Sequence, residues 1–335
     1  MTEQVKSVAI VGGGVIGGAW AARFVFNGID CRIFDPHPDA QRIVDEVMAN
    51  AGRAYDQLTD APLPAPGTLA FVDTIEAAVE GAQLIQESVP ERLDLKQSVH
   101  AQIDAAAPVD ALIASSTSGL LPSDIQRDLT HPERMLVAHP YNPVYLLPLV
   151  ELVAGAATDP AAVERARAVY SKVGMKPVVI RKEIDAFVGD RLLEAVWREA
   201  LWLIKENVTT VEKLDDIMRY SFGMRWAQMG LFQTYRIAGG EAGMRHFISQ
   251  FGPTLSLPWT RLMDVPELDE ALTEKIAAQS DAQAGDLGIR DLERIRDDNL
   301  VGMMRMLASA RDGEGWGAGQ LLLDYEAKLR AAAED

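Results

Sequence analysis

The stretch that decides the fold runs from Ser7 to Gly17 and reads Ser-Val-Ala-Ile-Val-Gly-Gly-Gly-Val-Ile-Gly. Its first five residues are almost entirely apolar, which predicts a short buried strand. Gly12, Gly14 and Gly17 follow at once, and the apolar segment from Trp20 to Phe26 predicts a helix. A strand, a glycine-rich turn and a helix in this order are typical of a nucleotide-binding α/β unit.

The three glycines of this turn have separate roles. Gly12 permits the tight turn, Gly14 lets a pyrophosphate approach the backbone, and Gly17 lets the helix pack closely on the strand. The first turn of a helix also offers backbone N–H groups to phosphate oxygens. The predicted cofactor-binding residues of the turn are therefore Gly12, Gly14, Val15, Ile16 and Gly17.

An acidic residue indicates which dinucleotide this turn binds. A second predicted strand, from Asp30 to Phe34, ends at Asp35, about twenty residues into the motif. An acid at this place accepts hydrogen bonds from the adenosine ribose hydroxyls and repels a 2′-phosphate. The sequence therefore predicts NAD, and not NADP, as the cofactor. The alternative is a glycine-rich turn beside a surface aspartate that happens to end a strand.

A histidine follows a third apolar run, Met135 to Ala138, which reads as a buried parallel strand. His139 then lies at the carboxyl edge of the sheet, where open α/β folds bind ligands. The prolines and the asparagine that follow disfavour a helix, so we expect His139 to open a rigid loop. Glu151 is the one acid in the next apolar segment, and a buried carboxylate needs a partner. We expect Glu151 to hold His139 and His139 to move a proton; the alternative is a structural histidine.

The chain as a whole divides into two parts by its pattern. Up to residue 184 predicted strands and helices alternate, and from Asp185 only helical spacing remains. The predicted fold class is α/β. Residues 1–184 are expected to form a Rossmann-like, mostly parallel sheet domain that binds NAD, and residues 185–335 an all-helical domain.

Composition and charge restrict the function further. The 335 residues are 48% hydrophobic, so a large core can form, and the net charge of −17 disfavours nucleic acid or an anionic membrane as partner. No signal peptide and no apolar run of about eighteen residues is visible. The lone Cys31 fits a reducing compartment, and the histidines show no metal-ligand spacing. We expect a cytoplasmic protein that acts on a small molecule, without a metal.

These motifs resemble the 3-hydroxyacyl-CoA dehydrogenase superfamily over Val8 to about Gln250. The resemblance rests on the glycine turn and on four further motifs at matching spacings: Glu87-Ser-Val-Pro-Glu91, Ser115-Ser-Thr-Ser118, His139-x-x-Asn142-Pro143 and Glu151. It implies a Rossmann-like domain followed by a helical domain that forms much of a homodimer and contributes to the substrate site.

The resemblance also implies roles for single residues. Ser118 takes the position of the active-site serine, His139 that of the catalytic base, and Glu151 that of its carboxylate partner. Glu91 and Lys96 take positions near the nicotinamide end of the cofactor. The implied reaction is the NAD-dependent oxidation of a secondary alcohol.

One position departs from the family pattern. Where the family usually has an asparagine, this chain has Asp190, preceded by Gly189. A carboxylate here would repel an anionic substrate tail and suit a cation or a charged His139, and the glycine would make room for bulk. We therefore expect a 3-hydroxy acid that carries a quaternary ammonium group, which aromatic faces also bind. The candidate substrate-binding residues are Tyr141, Asn142, Phe187, Asp190 and Trp197.

Three alternatives remain open at this point. A dehydrogenase of another 3-hydroxy acid, such as L-gulonate, or of a 3-hydroxyacyl-CoA would share Ser118, His139 and Glu151. An acyl-CoA would favour a cluster of basic residues for its phosphates, and the sequence shows no obvious cluster. A non-catalytic NAD-binding protein of the lens-crystallin kind is the third alternative, and the presence of all three catalytic residues speaks against it.

Overall fold

The computed structural model describes residues 5–238, 243–261, 269–287 and 289–334. The chain folds as two compact units, of which the first comprises Met1–Asp190 and Arg294–Asp335 and the second comprises Arg191–Glu293. The predicted division at residue 184 therefore differs from the structure at the C-terminal end. Residues from Arg294 onward belong to the α/β unit, and not to the helical one.

The physical reason is apolar burial. Val301 and Met304, and from the last helix Leu322, Tyr325 and Leu329, are less than 9% exposed and belong to the core of the first unit. The helical spacing of this segment correctly predicts helices. It does not tell which of two units a helix covers, because an apolar stripe fits any apolar partner.

The first unit is built around an eight-stranded sheet in the order β3-β2-β1-β4-β5-β6-β7-β8. All neighbouring strands are parallel except β6 and β7. This confirms the predicted mostly parallel Rossmann-like sheet. The strands are β1 (Ser7–Val11), β2 (Asp30–Phe34), β3 (Leu69–Phe71), β4 (Leu84–Glu87), β5 (Leu112–Ser115), β6 (Met135–Pro140), β7 (Leu149–Ala154) and β8 (Lys176–Ile180).

Helices cover both faces of the central strands β1, β4, β5 and β6, whose residues are nearly all buried. One core cluster contains Trp20, Phe24 and Tyr170, and the other contains Ile85 and Ile103. The helices in chain order are α1 (Val15–Val25), α2 (Ala40–Leu58), α3 (Ile75–Val79), α4 (Leu93–Ala106), α5 (Pro122–Ile125), α6 (Pro160–Lys172), α7 (Gly189–Lys205), α8 (Val211–Tyr220), α9 (Phe222–Ala238), α10 (Gly243–Phe251), α11 (Glu270–Ala284), α12 (Ile289–Ala308) and α13 (Ala318–Glu334).

The second unit is helical in its described part, as predicted. Its helix α9 bends at Gly230, whose φ of 72° lies in the left-handed region. On α9, Met224 and Phe232 are more than 60% exposed. Nowhere in the described ranges is a helix both long enough and apolar enough for a membrane crossing.

Candidate active site

The strand order places a ligand crevice above the carboxyl ends of β1 and β4. The chain runs outward from β1 to β2 and β3 on one side and from β4 to β5 on the other, and ligands of open α/β sheets bind at such a switch point. The glycine turn lies there. Gly12 has a φ of 106°, and a side chain on it would meet the backbone of Ser88 at 2.6 Å. A side chain on Gly17 would overlap the Gly12 carbonyl oxygen.

Gly14 differs from these two glycines because it borders open space. A Cβ atom added to Gly14 would meet nothing within 4 Å. Gly14 is also the N-cap of α1, and no side chain caps this helix end. The N–H groups of the first turn, which include those of Val15 and Ile16, thus lack intrahelical acceptors at an uncovered surface. The residues present fit a dinucleotide pyrophosphate.

Asp35 braces this turn from the end of β2. Its Oδ2 accepts a hydrogen bond of 2.6 Å from the Gly13 N–H, and its Oδ1 accepts one of 2.7 Å from the His37 N–H. An ionised carboxylate has about four acceptor sites. The two remaining sites leave room for ribose hydroxyls, so the predicted ribose contact of Asp35 is compatible with its bracing role and stays a prediction.

His139 and Glu151 face each other across the antiparallel pair β6 and β7. They are register partners, and His139 Nδ1 lies 2.9 Å from Glu151 Oε2. Both side chains are less than 5% exposed. The predicted pairing is confirmed, although β6 continues to Pro140, so His139 lies inside the strand and does not open the loop. The antiparallel strand β7 brings the acid next to the histidine.

Glu151 accepts hydrogen bonds on both oxygens. Besides His139, the Tyr141 hydroxyl donates to Oε2 at 3.1 Å, and the N–H groups of Val188 and Gly189 donate to Oε1 at 3.3 and 3.1 Å. Burial alone would raise the pKa of Glu151, but the hydrogen bonds from His139, Gly189 and Tyr141 outweigh it and lower this pKa. Burial and the charge of Glu151 raise the pKa of Tyr141, so its hydroxyl remains a donor.

The structure corrects the predicted role of Gly189. We expected this glycine to make room for a bulky substrate. A Cβ atom on Gly189 would instead overlap the hydroxyl of Tyr141, which fills that space on its way to Glu151. Gly189 thus makes room for a protein side chain. Tyr141, a predicted substrate contact, is half-buried, and its hydroxyl donates its hydrogen bond to Glu151.

Asp190 lies on the other side of the imidazole. Its Oδ2 is 3.7 Å from His139 Nε2, and its side chain is 23% exposed. His139 therefore stands between two carboxylates, one on each ring nitrogen. The helical spacing of α7 alone favours a solvated surface acid at position 190, whereas the family position indicates an active-site residue. The observed distance agrees with the second interpretation.

Phe187 packs against the ring of His139. It is fully buried against Val137 and Val153, and its ring centroid lies 5.6 Å from that of His139. Ala186 and Phe187 have φ values of 59° and 47°, in the left-handed region that costs an ordinary residue energy. Because the Phe187 ring is fully covered, the structure favours a supporting role over the predicted substrate contact.

The other two predicted substrate contacts stay predictions. Asn142 is exposed two residues after the end of β6, and its peptide bond to Pro143 is cis. Trp197 belongs to the second unit, where its side chain is 53% exposed.

Ser118 lies beyond the end of β5, next to the strand that carries His139. Ser115, the last residue of β5, pairs with Val137, and His139 follows Val137 by two residues on β6. Ser118 itself is exposed, and its N–H donates to Glu91 Oε1 at 3.0 Å. The serine is thus presented at the same edge of the sheet as the histidine.

Glu91 clamps the loop that carries this serine. The Thr117 hydroxyl and the N–H groups of Ser118 and Gly119 all donate to Glu91 Oε1. The other oxygen, Oε2, lies 3.4 Å from Lys96 Nζ. Lys96 also donates to Glu87 and to the Val89 carbonyl, and it is 1% exposed. Its three donors are directed at protein oxygens, so the structure favours a supporting role over the predicted direct contact with the cofactor.

Sequence reasoning missed the buried centre of this region, which is Glu87 with His100. Glu87 is 0% exposed and accepts from Lys96 at 2.8 Å, His100 Nε2 at 3.0 Å, the Ser115 hydroxyl at 2.6 Å and the Val89 N–H at 2.6 Å. Burial by itself raises the pKa of Glu87, but the hydrogen bond from His100 and the charge of Lys96 lower it to about 2. The signal in the sequence is the i,i+4 spacing of Lys96 and His100 on α4.

A large cavity of the first unit lies away from these groups. Its volume is about 890 Å³, and it is lined by residues that precede strands, such as Ile29 and Gln83, and by Tyr325 and Leu329 of α13. It is therefore at the amino edge of the sheet. We place the active site at the carboxyl edge, because the His139–Glu151 pair and the glycine turn are there.

The strand order, the glycine turn at its switch point and the His139–Glu151 pair define a dinucleotide-binding protein of the dehydrogenase class. Residues 7–184 match the NAD-binding domain of 3-hydroxyacyl-CoA dehydrogenases, and residues 187–278 match the C-terminal domain of the same family. The chain belongs to the 3-hydroxyacyl-CoA dehydrogenase family. The predicted family and the predicted cofactor, NAD, are thereby confirmed.

Known proteins resemble the chain over nearly its whole length. An L-carnitine dehydrogenase of Mesorhizobium japonicum is 61% identical over 98% of this chain and 91% of that protein. An L-carnitine dehydrogenase/betainyl-CoA thioesterase of a Rhizobium species is 68% identical over 98% of this chain, which spans only 66% of that protein. A solved structure of 5-formyl-3-hydroxy-2-methylpyridine 4-carboxylic acid 5-dehydrogenase, an NAD⁺-dependent dismutase, matches this chain with a TM-score of 0.76 at 29% sequence identity. The match covers 91% of this chain and 99% of the chain in that structure.

Proposed function

We propose that the protein oxidises the 3-hydroxyl of L-carnitine to 3-dehydrocarnitine with NAD. The observation that carries this proposal is the His139–Glu151 pair at the carboxyl edge of an NAD-binding domain. The choice of substrate is supported by the 61% identity to the Mesorhizobium L-carnitine dehydrogenase. It is also supported by three stretches that resemble carnitine dehydrogenases, His139 to Pro148, Ala186 to Leu192 and Phe222 to Tyr235.

The proposed chemistry removes a proton and a hydride from the secondary alcohol. His139 Nε2 takes the proton of the substrate hydroxyl, while its Nδ1–H stays hydrogen-bonded to Glu151. Glu151 fixes the tautomer and stabilises the positive imidazole that forms. Ser118 donates a hydrogen bond to the same substrate oxygen. When bound, NAD accepts the hydride from C3.

The quaternary ammonium group of carnitine is the part of the substrate that we assign to Asp190. A carboxylate at 23% exposure can attract a cation at the edge of the site. The same carboxylate lies 3.7 Å from His139 Nε2, so it can instead stabilise the protonated imidazole. Both roles disfavour an anionic group in this place, which speaks against a 3-hydroxyacyl-CoA.

We extend the proposal to the setting of the enzyme. The family resemblance supports a homodimer through the helical unit. The net charge of −17 supports the absence of nucleic-acid and membrane partners. The buried Cys31, whose pKa is raised by burial, supports a cytoplasmic location, because it forms no disulfide.

The test is the appearance of NADH absorbance with NAD and each of three alcohols: L-carnitine, L-gulonate and a 3-hydroxybutyryl-CoA. We expect a kcat/KM for L-carnitine at least about 100-fold above the other two. A higher value for either of the others would replace the proposed substrate. Absence of turnover with all three, in a protein that binds NAD, would favour the non-catalytic alternative. NADP used as well as NAD would contradict the role of Asp35.

A further inference from the structure

A polar network under the crevice takes no part in the chemistry described so far. It consists of Trp20, Gln86, Ser88, Ser116 and Tyr170. Trp20, Gln86 and Tyr170 are 0% exposed, whereas the two serines are partly exposed. Polar groups that are buried so deeply use their hydrogen-bonding capacity. The direction of each hydrogen bond can therefore be assigned.

The assignment starts at Tyr170. Its hydroxyl lies 2.6 Å from Gln86 Oε1, which is its hydrogen-bond partner within the described part of the chain. The tyrosine proton therefore goes to Oε1, and this orients the amide of Gln86. The amide nitrogen, Nε2, then faces Ser116 and donates to its Oγ at 2.8 Å.

Ser116 receives a second hydrogen bond from the opposite side. The indole Nε1 of Trp20 lies 3.0 Å from Ser116 Oγ, and an indole N–H can only donate. A hydroxyl oxygen has two acceptor sites and one proton. Trp20 and Gln86 occupy both acceptor sites, so the proton of Ser116 goes to its third neighbour. That neighbour is Ser88 Oγ, at 2.9 Å.

Ser88 therefore accepts a hydrogen bond from Ser116 and keeps its own proton to donate. Ser88 follows β4 directly, and its backbone borders Gly12 at the switch point between β1 and β4. Asp35, which is predicted to bind the adenosine ribose, lies on the other side of β1, at the end of β2. With the adenosine ribose at Asp35, the nicotinamide half would lie on the side of the crevice that carries Ser88.

We propose that the Ser88 hydroxyl donates a hydrogen bond to an oxygen in the nicotinamide half of the bound dinucleotide. Tyr170, Gln86, Trp20 and Ser116 set the direction of this bond. The inference rests on NAD binding by the family domain, and it does not depend on which alcohol the protein oxidises.

The experiment compares the binding of three nucleotides to the wild type and to Ser88→Ala by calorimetry, without an alcohol substrate. NAD and ADP-ribose carry the second ribose, whereas AMP ends at the first phosphate. We expect the Kd of NAD to rise about 3- to 10-fold, as for the loss of one hydrogen bond between neutral groups. The Kd of AMP should stay within about two-fold. A higher Kd of NAD together with an unchanged Kd of ADP-ribose would assign the acceptor oxygen to the carboxamide.

Two further variants keep the test decisive. Ser88→Cys preserves the size but has a weak donor, so NAD should weaken as in Ser88→Ala. Ser116→Ala removes the acceptor of two buried donors, so its melting temperature should fall while NAD binding changes less than in Ser88→Ala. An NAD Kd within two-fold of wild type in Ser88→Ala would overturn the proposal. An equal rise in the Kd of AMP and the Kd of NAD would overturn the proposal too. Failure to turn over carnitine would leave these results unaffected.

Discussion

Two buried histidine–glutamate pairs in the described part of the first unit have almost the same length, and they differ in their surroundings. His139 Nδ1 lies 2.9 Å from Glu151, and His100 Nε2 lies 3.0 Å from Glu87. The second nitrogen of His139 faces Asp190 at 3.7 Å. The second nitrogen of His100 is buried and, within the described ranges, has no hydrogen-bond partner.

The two carboxylates differ as well. Glu87 is compensated by the ammonium of Lys96 at 2.8 Å, so its charge is already balanced without His100. The donors that surround Glu151, apart from His139, are a tyrosine hydroxyl and two backbone N–H groups, all of them neutral. The charge of Glu151 is therefore available to stabilise a positive imidazole. The two hydrogen bonds are thus nearly equal in length, and the pairs differ in the charge around the carboxylate.

The largest effect that separates the pairs is expected in kcat. His139→Asn keeps a donor near Glu151 but removes the proposed base, so we expect kcat with L-carnitine to fall about 10²- to 10⁴-fold while the Kd of NAD changes little. The matched control is His100→Gln, whose amide can still donate to Glu87. Its kcat should stay within about ten-fold of wild type. Similar losses in both variants, measured by NADH absorbance, would break the comparison.

The next effect is on stability, and it concerns the other pair. Lys96→Met leaves Glu87 buried without a counter-charge, so we expect the free energy of unfolding to fall by about 3–5 kcal/mol in urea denaturation. Lys182→Met, at an exposed lysine, should stay within about 0.5 kcal/mol of wild type. The double variant Glu87→Gln/Lys96→Met should lose less free energy of unfolding than Lys96→Met alone, because no buried charge is left without a partner. A loss below about 1 kcal/mol for Lys96→Met would show that Glu87 does not depend on its lysine.

The pH dependence of stability sharpens the same point. The pKa of Glu87 is lowered from 4.5 to about 2 in the folded protein, so its stabilisation is complete above pH 4.5 and is lost as the pH falls towards 2. The shift corresponds to about 3 kcal/mol. The difference in unfolding free energy between wild type and Glu87→Gln should be constant from pH 7 to 5 and shrink below pH 4.5. A difference that is as large at pH 3 as at pH 7 would contradict this charge assignment.

The smallest effect concerns Asp190, whose Oδ2 lies 3.7 Å from His139 Nε2. If Asp190 attracts the trimethylammonium group, Asp190→Asn should lower kcat/KM about ten-fold for L-carnitine and no more than about three-fold for 3-hydroxybutyrate. The two substrates share the alcohol and the carboxylate, and only carnitine carries the cation. An equal loss of kcat/KM for both substrates would indicate that Asp190 acts on the protonated His139 and not on the cation of the substrate.

Much of the fold could be predicted from local pattern. The strands Ser7–Val11 and Asp30–Phe34 have the predicted bounds, because apolar runs and the glycines that end them are local signals. The site was predicted as far as its motifs reach. The pairing of His139 with Glu151 could be predicted because one apolar segment is followed by a single histidine and the next contains a single acid.

The contacts that the motifs do not encode were missed or misjudged. Gly189 borders the Tyr141 hydroxyl, Lys96 is directed at Glu87, and Phe187 is buried under the histidine. Each of these contacts joins residues from different segments of the chain. Periodicity reports which residues share a face of one element, and it does not report what that face meets.

The sequence by itself determined the mostly parallel α/β unit, the dinucleotide turn, the cofactor NAD and the pairing of His139 with Glu151. These depend on the order of residue types along short segments, where backbone geometry and burial act locally. Only the tertiary structure decided that the last forty-two residues cover the first unit. It also decided which histidine keeps a nitrogen beside the site, and in which direction the hydrogen bonds under the crevice run. These depend on which distant side chains share a buried space, since each buried charge and donor must find its partner there.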